Sequence, residues 1–127
     1  MTNLERLAKK VGERHPKAEM VPVAAASGLV REAAEYFHLA DSWAHDGHIY
    51  HEGDALMELS DVLHYLMEAC RDHGVNITDV ARINLLKMEA RDKGEGRAFE
   101  QVMHGYAGED LREILDEFEA AVAVVSR

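Results

Sequence analysis

Asp54-Ala55-Leu56-Met57-Glu58-Leu59-Ser60-Asp61-Val62-Leu63-His64-Tyr65-Leu66-Met67 is the stretch whose reading decides the fold. At about 100° per residue, Ala55, Leu59, Val62, Leu63, Leu66 and the following Cys70 collect on one broad helical face that requires a core to cover it. Glu58 and Asp61 lie one turn apart along a border of that face, on a stripe that also carries Asp54 and Tyr65. The two acids therefore look across the seam where this helix meets a neighbour.

An earlier stretch, Leu29-Val30-Arg31-Glu32-Ala33-Ala34-Glu35-Tyr36-Phe37-His38-Leu39-Ala40, repeats the arrangement. Its apolar face is Leu29, Ala33, Tyr36, Phe37 and Ala40, bordered by Glu32 and Glu35 at the same three-residue step. Packed as an antiparallel hairpin, the two helices bring Glu32, Glu35, Glu58 and Asp61 into one layer. Uncompensated carboxylates at a packing seam are costly, so the layer calls for cations, most simply one or two divalent metal ions.

Composition sets the class around this hairpin. A chain of 127 residues is long enough for a core without staples, and the expectation is one domain over residues 1–127. Only two prolines and 6% aromatic residues, with Leu, Ala, Glu and Met in long runs, favour helix over strand. A net charge of −10 argues against duplex nucleic acid, whose binders gain affinity by neutralising phosphates. It leaves room for a polyphosphate held through metal. No apolar run spans a bilayer. The single cysteine, Cys70, permits no intrachain disulfide, and the first residues lack the order of a signal peptide; both fit a cytoplasmic protein.

The expected fold is all-α, an antiparallel bundle of four to five helices that oligomerises through helix packing. Thr2-Asn3-Leu4-Glu5 has the form of a capping box, opening a short helix from Thr2 to Val11 with Leu4, Leu7 and Val11 inward and Gly12 as its stop. Residues 13–21 read as a connector, and Pro22 fits the first turn of a second helix reaching Trp43. A polar connection from His45 to Gly53 leads to the third helix, which ends at Gly74. Thr78 caps a fourth helix ending near Lys93. That helix has two apolar stripes, Ala81-Leu85-Met88 and Ile83-Leu86-Ala90, separated by the polar stripe Asn84, Lys87 and Arg91. Two apolar faces need partners on both sides, which points to a second subunit. Residues 94–108 read as a long loop or flap, and residues 109–125 as a final helix with Leu111, Ile114, Leu115, Phe118, Val122 and Val125 inward.

These residues resemble the all-α nucleoside triphosphate pyrophosphohydrolases of the MazG type. That family's signature is an acidic doublet, two residues, a further Glu, a variable spacer, then Glu-x-x-Asp. Glu32 matches the second member of the doublet, Glu35 the following Glu, and Glu58 and Asp61 the second half. Leu63-His64-Tyr65-Leu66 and Asn84-Leu85-Leu86-Lys87-Met88-Glu89-Ala90-Arg91 continue the likeness, which spans about residues 29–93. Arg31 departs from it, standing where the family has the first acid of the doublet.

The resemblance implies hydrolysis of a nucleoside triphosphate between its α and β phosphates, with Mg²⁺, or Mn²⁺ in its place, held by Glu32, Glu35, Glu58 and Asp61. Glu35 is the candidate catalytic residue that also orients the attacking water. Lys87 and Arg91 would meet the outer phosphates and Asn84 the phosphates or sugar. A homodimer or homotetramer is implied as well. Arg31 makes reduced activity or an altered substrate natural.

Three alternatives stand beside this assignment. A phosphoribosyl-ATP pyrophosphohydrolase has a similar acid pattern. Glu35-x-x-His38 and Asp61-x-x-His64 carry the step by which ferritin-like di-metal bundles ligate metal, although both histidines project farther from the apolar faces than the acids do. Loss of the doublet's first acid fits a nucleotide-binding module without catalysis. His45, His48 and His51, spaced by threes, fit a hydrated or substrate-contacting loop better than a transition-metal site.

Overall fold

The computed structural model describes residues 1–14, 23–45 and 51–124. Among them are six α-helices: α1 Asn3–Arg14, α2 Val23–His45, α3 Glu52–Asp72, α4 Ile77–Asp92, α5 Gly96–His104 and α6 Leu111–Ala123. The fold is all-α. None of these helices is long and apolar enough to cross a membrane. The chain divides into two compact units, residues 1–77 and 78–127.

The first unit is organised on the α2/α3 hairpin, with α1 laid against α3. Gly28 meets Tyr65, and Glu32, farther along α2, meets Glu58 and Asp61, earlier on α3. The two helices are therefore antiparallel. The capping box forms at the start of α1: the Thr2 amide donates to Glu5 Oε2 at 3.3 Å and the Glu5 amide to Thr2 Oγ1 at 3.1 Å. Gly12 is not a stop, because α1 continues through it to Arg14. Its missing side chain instead gives room to α3: a Cβ there would sit 2.9 Å from Arg71 Nη1. Gly74 does end α3, at φ 72°. The Gly74 amide donates to Arg71 O and the Val75 amide to Cys70 O, the paired bonds of a Schellman cap.

The buried face of α2 differs from the one periodicity predicts. Ala33 lies at the surface and Phe37 is 69% exposed, while Ala25, Gly28 and Glu32 are buried and Leu29, Tyr36 and Leu39 half-buried. The reason is steric. α3 presents the Tyr65 ring to the seam, and a Cβ at Gly28 would come within 2.3 Å of it. Small residues at steps of three and four let the backbones approach, and Glu32 continues that same line. On α3 the predicted face holds apart from Leu59, which is 42% exposed: Ala55 and Cys70 are buried, with Met67 beside them, and Val62, Leu63 and Leu66 are half-buried.

The second unit has a separate core of Leu86, Ala90, Phe99, Leu111, Leu115, Phe118 and Val122. Residues 94–108, expected as a loop, contain α5, nucleated by Phe99, whose ring meets Phe118 edge-on at 5.0 Å. One anchoring aromatic with Val102 and Met103 a turn later suffices for so short an amphipathic helix. Thr78 is not the cap of α4 but lies within its first turn, since the helix begins at Ile77. Gly94, at φ 77°, ends α4 with a second Schellman pair, Gly94 to Arg91 O and Glu95 to Ala90 O. Arg82 ties α4 to α6 through Asp116 and Glu119 at 2.6 and 3.0 Å, and Asp110 caps α6 by accepting from the Glu113 amide. Of α4's two apolar stripes, Leu86 and Ala90 are buried with Ile83 half-buried, whereas Ala81, Leu85 and Met88 are exposed. Residues 15–21 of the expected connector, Pro22, residues 46–50 with His48 among them, and Val125 lie outside the described residues.

The hairpin's close approach yields a direct test. Gly28→Ala adds a good helix former, worth about 1 kcal/mol on propensity alone, yet its methyl group has to displace the Tyr65 ring. The expected outcome is a net loss of about 1–3 kcal/mol in urea unfolding; a gain in stability would show that the seam is looser than described.

Candidate functional site

The hairpin brings three of the four acids expected to share a layer into one cluster. Glu32, Glu58 and Asp61 each offer a carboxylate oxygen, and these oxygens lie within 4.8 Å of one another. Their settings differ: Glu32 is 9% exposed, Glu58 half-buried and Asp61 open to solvent. Glu35, one turn beyond Glu32, is exposed and flanks the cluster on the Glu58 side.

Burial leaves this cluster electrostatically incomplete. Oε2 of Glu32 and Oε2 of Glu58 are both shielded from solvent and have no hydrogen-bond partner among the described residues. A buried carboxylate oxygen with no donor forfeits its hydration without replacement. The Glu58 carboxyl is pushed up to about 7, first by its loss of hydration and then by the neighbouring carboxyl groups of Glu35 and Glu32. Clustered carboxylate oxygens, partly dehydrated and open on the Asp61 side, are the donor set hard divalent cations take, with space for bound water.

Arg31 is the cation beside these acids. Its Nε lies 3.5 Å from Glu32 Oε1, its Nη2 donates to the Tyr65 hydroxyl at 2.9 Å, and its guanidinium carbon stands 5.5 Å from the centre of the Tyr65 ring. Gly28 makes this clamp possible by admitting that ring into the seam. The sequence holds a signal for it, because Tyr65 shares a stripe with Glu58 and Asp61, but the Arg31–Tyr65 contact itself is a product of the hairpin's register.

Asn84, Lys87 and Arg91 are on α4 in the second unit, with Asn84 and Arg91 exposed and Lys87 half-buried. The Asn84 amide reaches Met88 Sδ at 4.0 Å. His38 is exposed, and His64 turns to Glu68, Nε2 to Oε1 at 3.2 Å, so neither histidine joins the acidic cluster. His45 closes α2 with its Nδ1 3.0 Å from Asp41 Oδ1, and His51 is exposed just ahead of α3. No protein-family model matches the chain, and no curated protein or solved structure matches it either.

The raised Glu58 carboxyl predicts a pH-dependent stability in the metal-free protein. Between the ordinary value of 4.5 and about 7, Glu58 is protonated in the folded chain and ionised in the unfolded one. Its contribution is therefore complete below 4.5 and lost as pH rises through about 7. The urea midpoint measured in a chelator should fall across that window for the wild type, and Glu58→Gln should flatten the fall. Parallel profiles for the two proteins would contradict the assignment.

Proposed function

We propose that this protein is a metal-dependent nucleotide pyrophosphohydrolase, cleaving a nucleoside triphosphate between the α and β phosphates to the monophosphate and pyrophosphate. The observation that carries the proposal is the convergence of Glu32, Glu58 and Asp61 from two helices, with buried oxygens of Glu32 and Glu58 left without partners. The resemblance of the Glu32, Glu35, Glu58 and Asp61 pattern to the MazG-type enzymes supplies the reaction.

In this proposal Glu32, Glu58 and Asp61 hold Mg²⁺ or Mn²⁺, with Glu35 at the edge of the set. A divalent ion bound there supplies charge neutralisation for phosphate oxygens and lowers the pKa of a coordinated water. Glu35 is exposed and adjacent, which suits a carboxylate that orients a water and takes its proton. The resemblance assigns Lys87 and Arg91 to the outer phosphates and Asn84 to the phosphates or sugar; all three stand on one stripe of α4, in the second unit. The exposed stripe of Ala81, Leu85 and Met88 beside them is consistent with work as a homodimer or homotetramer.

A second reading, nucleotide binding without turnover, is favoured by one observation. Arg31 occupies the position of an acid in the resembling enzymes and takes up part of the charge of Glu32. Both readings need metal and both bind nucleotide; they part at product release.

The deciding assay is pyrophosphate release from a panel of canonical and modified triphosphates, with and without Mg²⁺. Release should require the metal and fall by about 100-fold or more in Glu35→Gln and Glu58→Gln, with helical content by circular dichroism retained. Full activity in both variants would refute the assigned site. Mg²⁺-dependent binding with no release from any substrate would select the second reading.

A further inference from the structure

Arg31 is held by three contacts. Its side chain is 56% exposed, yet it is fixed by the carboxylate of Glu32, the hydroxyl of Tyr65 and the face of the Tyr65 ring. Nε and Nη2 are engaged, and Nη1 has no partner among the described residues. The guanidinium thus presents a free pair of donors to solvent at the side of an acidic cluster whose own buried oxygens lack donors.

Charge counting gives this placement a meaning. Glu32, Glu58 and Asp61 carry three negative charges when ionised, and Arg31 carries one positive charge at 3.5 Å from the most buried of them. One divalent ion then balances these four groups, with Glu35 left as the exposed acid at their edge. A second would stand against a fixed guanidinium, with the exposed Glu35 at the cluster's edge as the one further acid beside it among the described residues.

We infer that Arg31 is the resident second cation of this site, gripping an anionic oxygen of a phosphorylated ligand beside a single divalent ion held by Glu32, Glu58 and Asp61. The inference rests on the metal-site reading proposed above. It holds for a nucleotide that is cleaved and for one that is only bound. Arg suits the role because its planar fork can keep Tyr65 and Glu32 on one edge while offering the other to a phosphate.

Mn²⁺ serves as the metal probe, counted by electron paramagnetic resonance. Inorganic pyrophosphate and an α,β-methylene triphosphate serve as ligands, followed by calorimetry. The wild type should take one Mn²⁺ and bind both ligands in its presence. Arg31→Gln should still take one Mn²⁺, at equal or higher affinity, while binding both ligands about tenfold more weakly, the loss of one charge-assisted contact. Retained Mn²⁺ binding reports that the variant's site is folded. Two Mn²⁺ ions in the wild type, unchanged ligand affinity in Arg31→Gln, or loss of Mn²⁺ from that variant alone would each overturn the role of Arg31 and leave the metal site standing. Absence of Mn²⁺ from the wild type would overturn the metal site and this inference with it.

Discussion

The first unit depends on the burial of one carboxylate. Glu32 sits in line with Ala25 and Gly28 at the α2/α3 contact, where a hydrophobic residue would ordinarily complete the seam. An ion taken out of water costs several kcal/mol unless its lost hydration is replaced, and removal of one partner from a buried pair costs about 3–5 kcal/mol. Arg31 replaces part of it through Oε1. Oε2 remains open, facing a cluster whose other members are also acids. A fold that tolerates this arrangement gives up stability at one point, and a cation is the natural compensation.

The surrounding residues make that point hard to relax. Tyr65 fills the space left by Gly28 and fixes Arg31, and Arg31 in turn meets Glu32. Beside Glu32, Glu58 comes from α3 with its carboxyl raised by partial burial and by Glu35 and Glu32. The face α2 turns to Tyr65 is the line of Ala25, Gly28 and Glu32, and Phe37 lies outside it. The exposed Phe37 and Val30 on α2 follow from this choice of face.

Much of this was legible in the sequence, for reasons that also explain what was not. The matched Glu32/Glu35 and Glu58/Asp61 steps mark the two helices that carry acids along a seam, because helical geometry translates spacing into a stripe, and the short polar connection between them makes them antiparallel neighbours. The capping box at Thr2 and the left-handed cap at Gly74 are local and readable as such. The angular position of α2 was not, since ranking by hydrophobicity favours Phe37 and Ala33 while the contact is decided by how closely two backbones can approach. The same limitation applies to Gly12, which accommodates Arg71 where a helix stop was expected, and to α5, whose core contribution rests on Phe99 meeting a ring on another helix. The Arg31–Tyr65 clamp joins residues 34 apart and exists only once the register is set.

The central claim is spatial: Glu32, Glu58 and Asp61 form a site for a divalent cation. Crystals grown with Mn²⁺ and measured at a wavelength with strong manganese anomalous scattering address it most directly. The account predicts an anomalous peak bounded by carboxylate oxygens of those three residues; strong manganese peaks elsewhere on the chain with none between α2 and α3 would contradict it.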